Sequence, residues 1–142
     1  MKLKIINGPN LNLLGTREPE IYGDLTFEDY LEKIKQLFSD IEIDYFQSNI
    51  EGEIINEIQN SENEYDGLIL NAAGYTHTSV SIADTVKAVN IKVVEVHISN
   101  IFSREEYRHI SLIAPNVNGS IIGFGLDSYR LAIESFINTS NT

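Results

Sequence analysis

Five short runs rich in β-branched residues recur along this chain, each followed by a segment long enough to fold back over a sheet, and that alternation restricts the fold more than any other feature. The runs are residues 2–7 (KLKIIN), 41–47 (IEIDYFQ), 67–71 (GLILN), 91–98 (IKVVEVHI) and 119–124 (GSIIGF), each reading as a strand. The clearest helical segment is Thr26 to Phe38. Thr26 is placed to cap it, Glu28 and Asp29 suit the positive helix start, and Tyr30, Leu31, Ile34, Leu37 and Phe38 form an apolar stripe. A second stripe (Ile54, Ile55, Ile58) lies within residues 50–60, and a third runs through Val80, Ala83, Val86 and Val89. The last helix begins near Asp127 and carries Tyr129, Ala132, Ile133 and Phe136, with the polar tail NTSNT expected to fray. Ser103 is expected to cap a short helix running to Arg108.

Strand and helix in strict alternation predict right-handed crossovers and a parallel sheet covered on both faces. The expected fold is a three-layer, flavodoxin-like α/β domain with a five-stranded parallel sheet. At 142 residues and 42% hydrophobic content the chain is expected to form a single catalytic domain over residues 1–142. In such open sheets ligands bind beyond the carboxyl ends of the strands, so chemistry is sought in the loops that leave those ends.

Composition narrows the function classes. With no cysteine, disulfides, thiolate chemistry and cysteine-ligated zinc are excluded, in keeping with a reducing interior. The start MKLKIINGPN is too weakly apolar for a signal-peptide core and no later run approaches a membrane span, so a cytoplasmic protein with no membrane partner is expected. A net charge of -11 argues against a nucleic-acid partner, which would need clustered Lys and Arg. Of the four arginines, Arg17, Arg104 and Arg108 sit in or beside the loops after strands, and an anionic substrate would need such a local positive pocket.

After the first strand comes NGPNLNLLGTREPEIYG (7–23), after the third NAAGYTHTS (71–79), and after the fourth HISN (97–100). Asn10, Arg17, Tyr22, Asn71, His77, His97 and Ser99 should therefore converge on one edge of the sheet. That inventory suits elimination of water β to a ketone, which needs a base, donors for a developing enolate and an acid for the departing hydroxyl. A tyrosine serves as base only if a cation favours its phenolate, and Arg17, five residues before Tyr22, is placed to supply one. His97 suits the acid.

Each residue also has a plainer reading. Tyr22 can be a packing residue, Arg17 can pair with Glu18 or Glu20 at the surface, and His97 can be a satisfied core histidine. His77 can hydrogen-bond loop backbone and Asn71 can be a turn residue. Asp84, within a helical segment, would ordinarily face solvent and be functional only through an intersubunit contact. A non-catalytic, flavodoxin-like binding module is the competing class. A flavin carrier wants a Ser/Thr/Gly-rich loop after the first strand, where Thr16 is the only Ser or Thr, and a phosphoacceptor wants an aspartate where Asn71 stands.

The motifs NGPNLNLLGTREPEIYG, NAAGYTHTS, EVHISNIFSREEYRH and GFGLDSY, in this order and spacing, resemble those of the type II 3-dehydroquinate dehydratases. The resemblance spans nearly the whole chain. It implies a hydro-lyase that converts 3-dehydroquinate to 3-dehydroshikimate through an enolate, with no metal or organic cofactor, in the shikimate pathway of aromatic amino acid biosynthesis or in a catabolic quinate route. By position it implies Tyr22 as base, Arg17 as the residue lowering its pKa, Asn10 as holding the enolate through a water, His97 as general acid and Glu95 as its orienting carboxylate. It further implies that Asn71, His77 and Arg108 grip the ring hydroxyls, that Ile98 and Ser99 bind the carboxylate, and that Asp84 reaches in from a neighbouring subunit of a dodecamer built from trimers. Residues 15–23 would form a lid. Phe102, Ser103 and the polar run APNVNGS (114–120) depart from the family's usual pattern without touching an implied role.

Overall fold

The computed structural model describes residues 1–16, Glu20 and 24–140, with side chains described as far as Asn138. Arg17, Tyr22 and most of the expected lid lie outside the described residues. Strands β1 (Lys2–Asn7), β2 (Glu42–Gln47), β3 (Gly67–Asn71), β4 (Lys92–His97) and β5 (Gly119–Ile122) pair in parallel in the order β2-β1-β3-β4-β5. The helices are α1 (Phe27–Leu37), α2 (Glu51–Ser61), α3 (Val80–Ala88) and α4 (Asp127–Ser140). The chain steps from β1 outward to β2, then returns across β1 to β3, so the winding reverses between β1 and β3 and a crevice opens above their carboxyl ends.

Alternate side chains of each strand face opposite layers. Ile5, Ile69 and Val94 pack with Leu31 and Ile34 of α1 and Ala132 and Ile133 of α4 on one face. Ile6, Leu68, Leu70 and Val93 pack with Ile54 and Ile58 of α2 and Ile82 and Val86 of α3 on the other. Every residue of β3 is buried, as a central strand covered on both sides requires, whereas the edge strand β5 is partly open.

The five-stranded flavodoxin-like sheet is the fold expected, with differences at several ends. Thr26 caps α1 by accepting a hydrogen bond from the Asp29 amide at 3.2 Å. Leu37, however, is 61% exposed, because the buried face of α1 runs through Phe27, Leu31 and Ile34 to Phe38. Val80 is likewise turned outward, and α3 buries Ile82, Ala83, Thr85 and Val86 instead. Residues 103–108 do not form one helix. They split into two 3-10 turns, Ile101–Ser103 and Glu106–Arg108, and it is the Asn100 carboxamide that caps the first, accepting from the Phe102 amide at 3.1 Å. Ser103 ends that turn, its hydroxyl donating to the Asn100 carbonyl. Nor does the tail unravel at Asn138, for α4 continues to Ser140 behind Phe136 and Ile137, which pack on the core. No helix among the described residues is long and apolar enough to cross a membrane.

Candidate active site

The crevice between β1 and β3 exists because their ends stay together and the loops beyond them part. The Gly8 amide donates to the Asn71 carbonyl at 2.8 Å, one residue past β1. A Cβ on Gly8 would lie 2.6 Å from the Ala72 carbonyl oxygen, so only glycine permits this approach. Beyond it Asn10 takes a left-handed conformation (φ 69°) and starts the 3-10 turn Leu11–Leu13, its amide held by the Asn49 carboxamide oxygen at 3.0 Å. Across the crevice Ala73 is also left-handed (φ 52°) and opens the 3-10 turn Ala73–His77. Positive φ at an alanine is strained, and it lies at the cleft wall.

Asn10, Asn71, His77, His97, Ile98, Ser99 and Arg108 all line this one cleft. Glu95 lies beneath it, against His97. Asp84 does not reach it, being exposed on the outer side of α3. The structure also adds Arg104, which lines the cleft and donates to the Ser99 hydroxyl at 3.4 Å. Arg104 and Arg108 give a chain of net charge -11 a local positive wall. Arg108 is oriented by Glu105, whose carboxylate accepts from Nε at 2.6 Å.

Residues two apart on a strand share a face, so Glu95 and His97 of β4 meet side by side: His97 Nε2 lies 2.9 Å from Glu95 Oε2. Glu95 is 1% exposed, and its carboxylate also accepts from the hydroxyls of Ser111 at 2.5 Å and Ser120 at 2.7 Å. Burial by itself raises the Glu95 pKa, but the hydrogen bond and charge of His97 and the two hydroxyls more than offset it, and the group titrates below its ordinary value. An ionised Glu95 accepts the hydrogen bond of His97 Nε2–H and leaves Nδ1 as the ring nitrogen for a ligand.

His77 Nδ1 lies 2.8 Å from the Ile110 carbonyl, and its ring stands 6.4 Å from that of His97. Its pKa is lowered, first by burial, then by the nearby charges of His97 and Arg108, against the opposing pull of the Ile110 carbonyl and Glu95. The neutral ring donates through Nδ1 and can accept through Nε2. At the floor, Asn71 Oδ1 accepts from the Ala73 amide at 3.1 Å and its Nδ2 donates to the Tyr129 hydroxyl at 2.9 Å. One amide hydrogen and one lone pair of Asn71 remain for a ligand.

Sequence reasoning gave no site role to Asn7, Ser111 or Ser120, and counted Tyr129 only among the packing residues of the last helix. Only Asn7 leaves a local sign, as a polar residue closing an apolar strand just as Asn71 does.

A doubly wound parallel sheet that gathers a histidine-carboxylate couple, a second histidine and two guanidiniums at its switch point defines an α/β enzyme built for proton transfer on a small anionic molecule. Residues 1–137 match the family Dehydroquinase class II. The chain is 52% identical over 139 residues to the 3-dehydroquinate dehydratase of Campylobacter jejuni, covering 96% of this chain and 87% of that protein. To the protein of the same name from Clostridium botulinum it is 52% identical over 136 residues, covering 94% and 92%. The crystal structure of type II dehydroquinase from Butyrivibrio crossotus superposes with a TM-score of 0.92 at 46% identity, covering 95% of this chain and 96% of that one. This chain belongs to the class II dehydroquinase family.

Proposed function

We propose that the cleft catalyses the trans-dehydration of 3-dehydroquinate to 3-dehydroshikimate, a step of the shikimate pathway, through an enolate. The observation that carries this reading is the His97–Glu95 couple, at 2.9 Å, with His97 lining the same cleft as Asn10. In the proposed sequence the Tyr22 phenolate, favoured by Arg17, takes a proton from the carbon beside the ketone. The bonding pair moves into an enolate, which Asn10 holds through a water. The enolate then collapses, its electrons form the new carbon–carbon double bond, and the β-hydroxyl departs with a proton from His97 as water. Tyr22 ends protonated and His97 neutral against the Glu95 carboxylate. Proton exchange with solvent resets both.

Asn71, His77 and Arg108 are assigned to the ring hydroxyls, and Ile98 and Ser99 to the carboxylate, with the adjoining Arg104 reinforcing the positive wall. Residues 15–23 are assigned as a lid. Asp84, exposed and away from the cleft of its own chain, fits a role at a neighbouring copy, and a dodecamer built from trimers would bring one there. We further assign the chain one catalytic domain and a cytoplasmic location. No observation favours the flavodoxin-like binding module or the quinate route.

Purified protein incubated with 3-dehydroquinate should generate the absorbance of the conjugated enone. Tyr22→Phe should abolish turnover with the fold intact, and His97→Ala should lower kcat by about 10²–10⁴-fold. Near-normal turnover in both variants would refute the assignment.

A further inference from the structure

We propose, resting on the assignment of His97 as proton donor, that Ser111 and Ser120 are positioning residues for the dehydration, clamping the Glu95 carboxylate in one orientation and thereby fixing the ring of His97. The two serines come from different parts of the chain and close on opposite oxygens. Ser120 pairs with Glu95 in the β4–β5 register, so its side chain shares the Glu95 face, and its hydroxyl donates to Oε1 at 2.7 Å. Ser111 donates to Oε2 at 2.5 Å, the oxygen that also meets His97.

The direction of the Ser111 hydrogen is settled by its other partners. Its oxygen accepts from the amides of Ile113 at 3.2 Å and Ala114 at 3.0 Å, which leaves its own proton for Glu95. Glu95 is 1% exposed, so bulk water does not compete for these oxygens. A carboxylate held by one donor can rotate about its terminal torsion; held on both oxygens, it presents a fixed lone pair to Nε2. The ring is thereby held in one orientation, with Nε2 donating to Glu95 and Nδ1 toward the substrate, where the imidazolium carries the proton it delivers.

Neither serine lines the cleft, so neither touches the substrate. The other titratable groups facing the couple are His77, with its ring 6.4 Å away, and the guanidiniums of Arg104 and Arg108 in the cleft wall. A change at either serine leaves all three in place. The expected signature is a loss in kcat with KM retained, together with a displaced acid limb. Removing a donor to the ionised carboxylate lets Glu95 take up a proton at higher pH, so the limb moves upward.

The test measures kcat and KM for 3-dehydroquinate across about pH 5–9 in wild type, Ser111→Ala, Ser120→Ala, the double variant and Ser120→Thr, with nitrogen NMR of the His97 ring alongside. Each alanine variant should lower kcat about tenfold, the worth of one charge-assisted hydrogen bond, with KM little changed. Ser120→Thr should restore the rate, and at the alkaline end of that range, where the ring is neutral, the His97 signals should shift from a single Nε2-protonated form toward a tautomer mixture in Ser120→Ala and further in the double variant. Because Ser111 also holds two loop amides, Ser120→Ala and Ser120→Thr carry the test alone if Ser111→Ala does not fold. An active wild type with a Ser120→Ala variant, and a double variant where it folds, of unchanged rate, pH profile and ring spectrum overturns the clamp. A wild type that does not dehydrate 3-dehydroquinate overturns the reaction instead, and the ring spectra then decide the clamp by themselves.

Discussion

Asn71 and Tyr129, 58 residues apart in the chain, share a buried hydrogen bond of 2.9 Å beneath the cleft. The Tyr129 hydroxyl in turn donates a hydrogen bond to Asn7 Oδ1 at 2.8 Å, and Asn7 stands directly opposite Asn71 in the β1–β3 register. One phenol of α4 thus bridges the carboxyl ends of the two strands at which the winding reverses. Tyr129 is 0% exposed, and burial raises its pKa far enough that it remains a protonated donor throughout the working range.

Tyr129→Phe keeps the ring packing and removes only that bridge. It strands Asn7 Oδ1 and Asn71 Nδ2 in a buried setting, at a cost of about 1–3 kcal/mol. Urea unfolding should register the loss, and KM should rise severalfold as the Asn71 amide loses its orientation, with kcat less affected. A variant with wild-type stability and KM would show that the bridge supports neither the fold nor the site.

How far these relationships were readable in the sequence depends on their range. The alternation of runs such as KLKIIN and GLILN with helical segments carries the layers and the parallel sheet, because burial on both faces demands apolar strands wherever they lie. The strand ends carry His77, His97, Asn71 and Asn10 into one cleft by the same logic. Periodicity failed at Leu37 and Val80, where the stripe continues on a neighbouring residue and the apolar residue at the helix end turns outward. Ser120, 25 residues from Glu95, and Tyr129, 122 from Asn7, are joined only through sheet register and helix packing, which leave no mark on local pattern. Ser103 looked like a cap because hydroxyls suit that position, but the Asn100 carboxamide precedes the turn and takes the amide first.

His77 yields a prediction with a definite sign. Its pKa in the folded protein is lowered from 6.5, so the unfolded chain binds its proton more readily than the native one does. The fold is free of this penalty above 6.5, meets it progressively as pH falls below 6.5, and carries it in full below the native pKa. Titration of His77 by NMR should therefore show a midpoint under 6.5. The stability gap between wild type and His77→Gln should also move against wild type as pH is lowered through that window. A midpoint above 6.5 would show that the Ile110 carbonyl and Glu95 outweigh burial.

Gly8 offers the most direct test of why the crevice forms. In Gly8→Ala the new methyl would meet the Ala72 carbonyl oxygen at 2.6 Å and its carbon at 2.8 Å, both backbone atoms with no rotamer to yield. The ends of β1 and β3 must then separate, lengthening the 2.8 Å bond from the Gly8 amide to the Asn71 carbonyl and carrying Asn10 away from Asn71. Overpacking of this kind costs about 1–3 kcal/mol, and because the displaced residues line the cleft, turnover should fall together with Tm. Gly52, inside α2 with nothing within 4 Å of its missing Cβ, is the matched control. Gly52→Ala should leave turnover intact and, by the helix preference of alanine, hold or slightly raise Tm. If Gly8→Ala behaves like Gly52→Ala in both measurements, close approach of the two strand ends is not what builds the site.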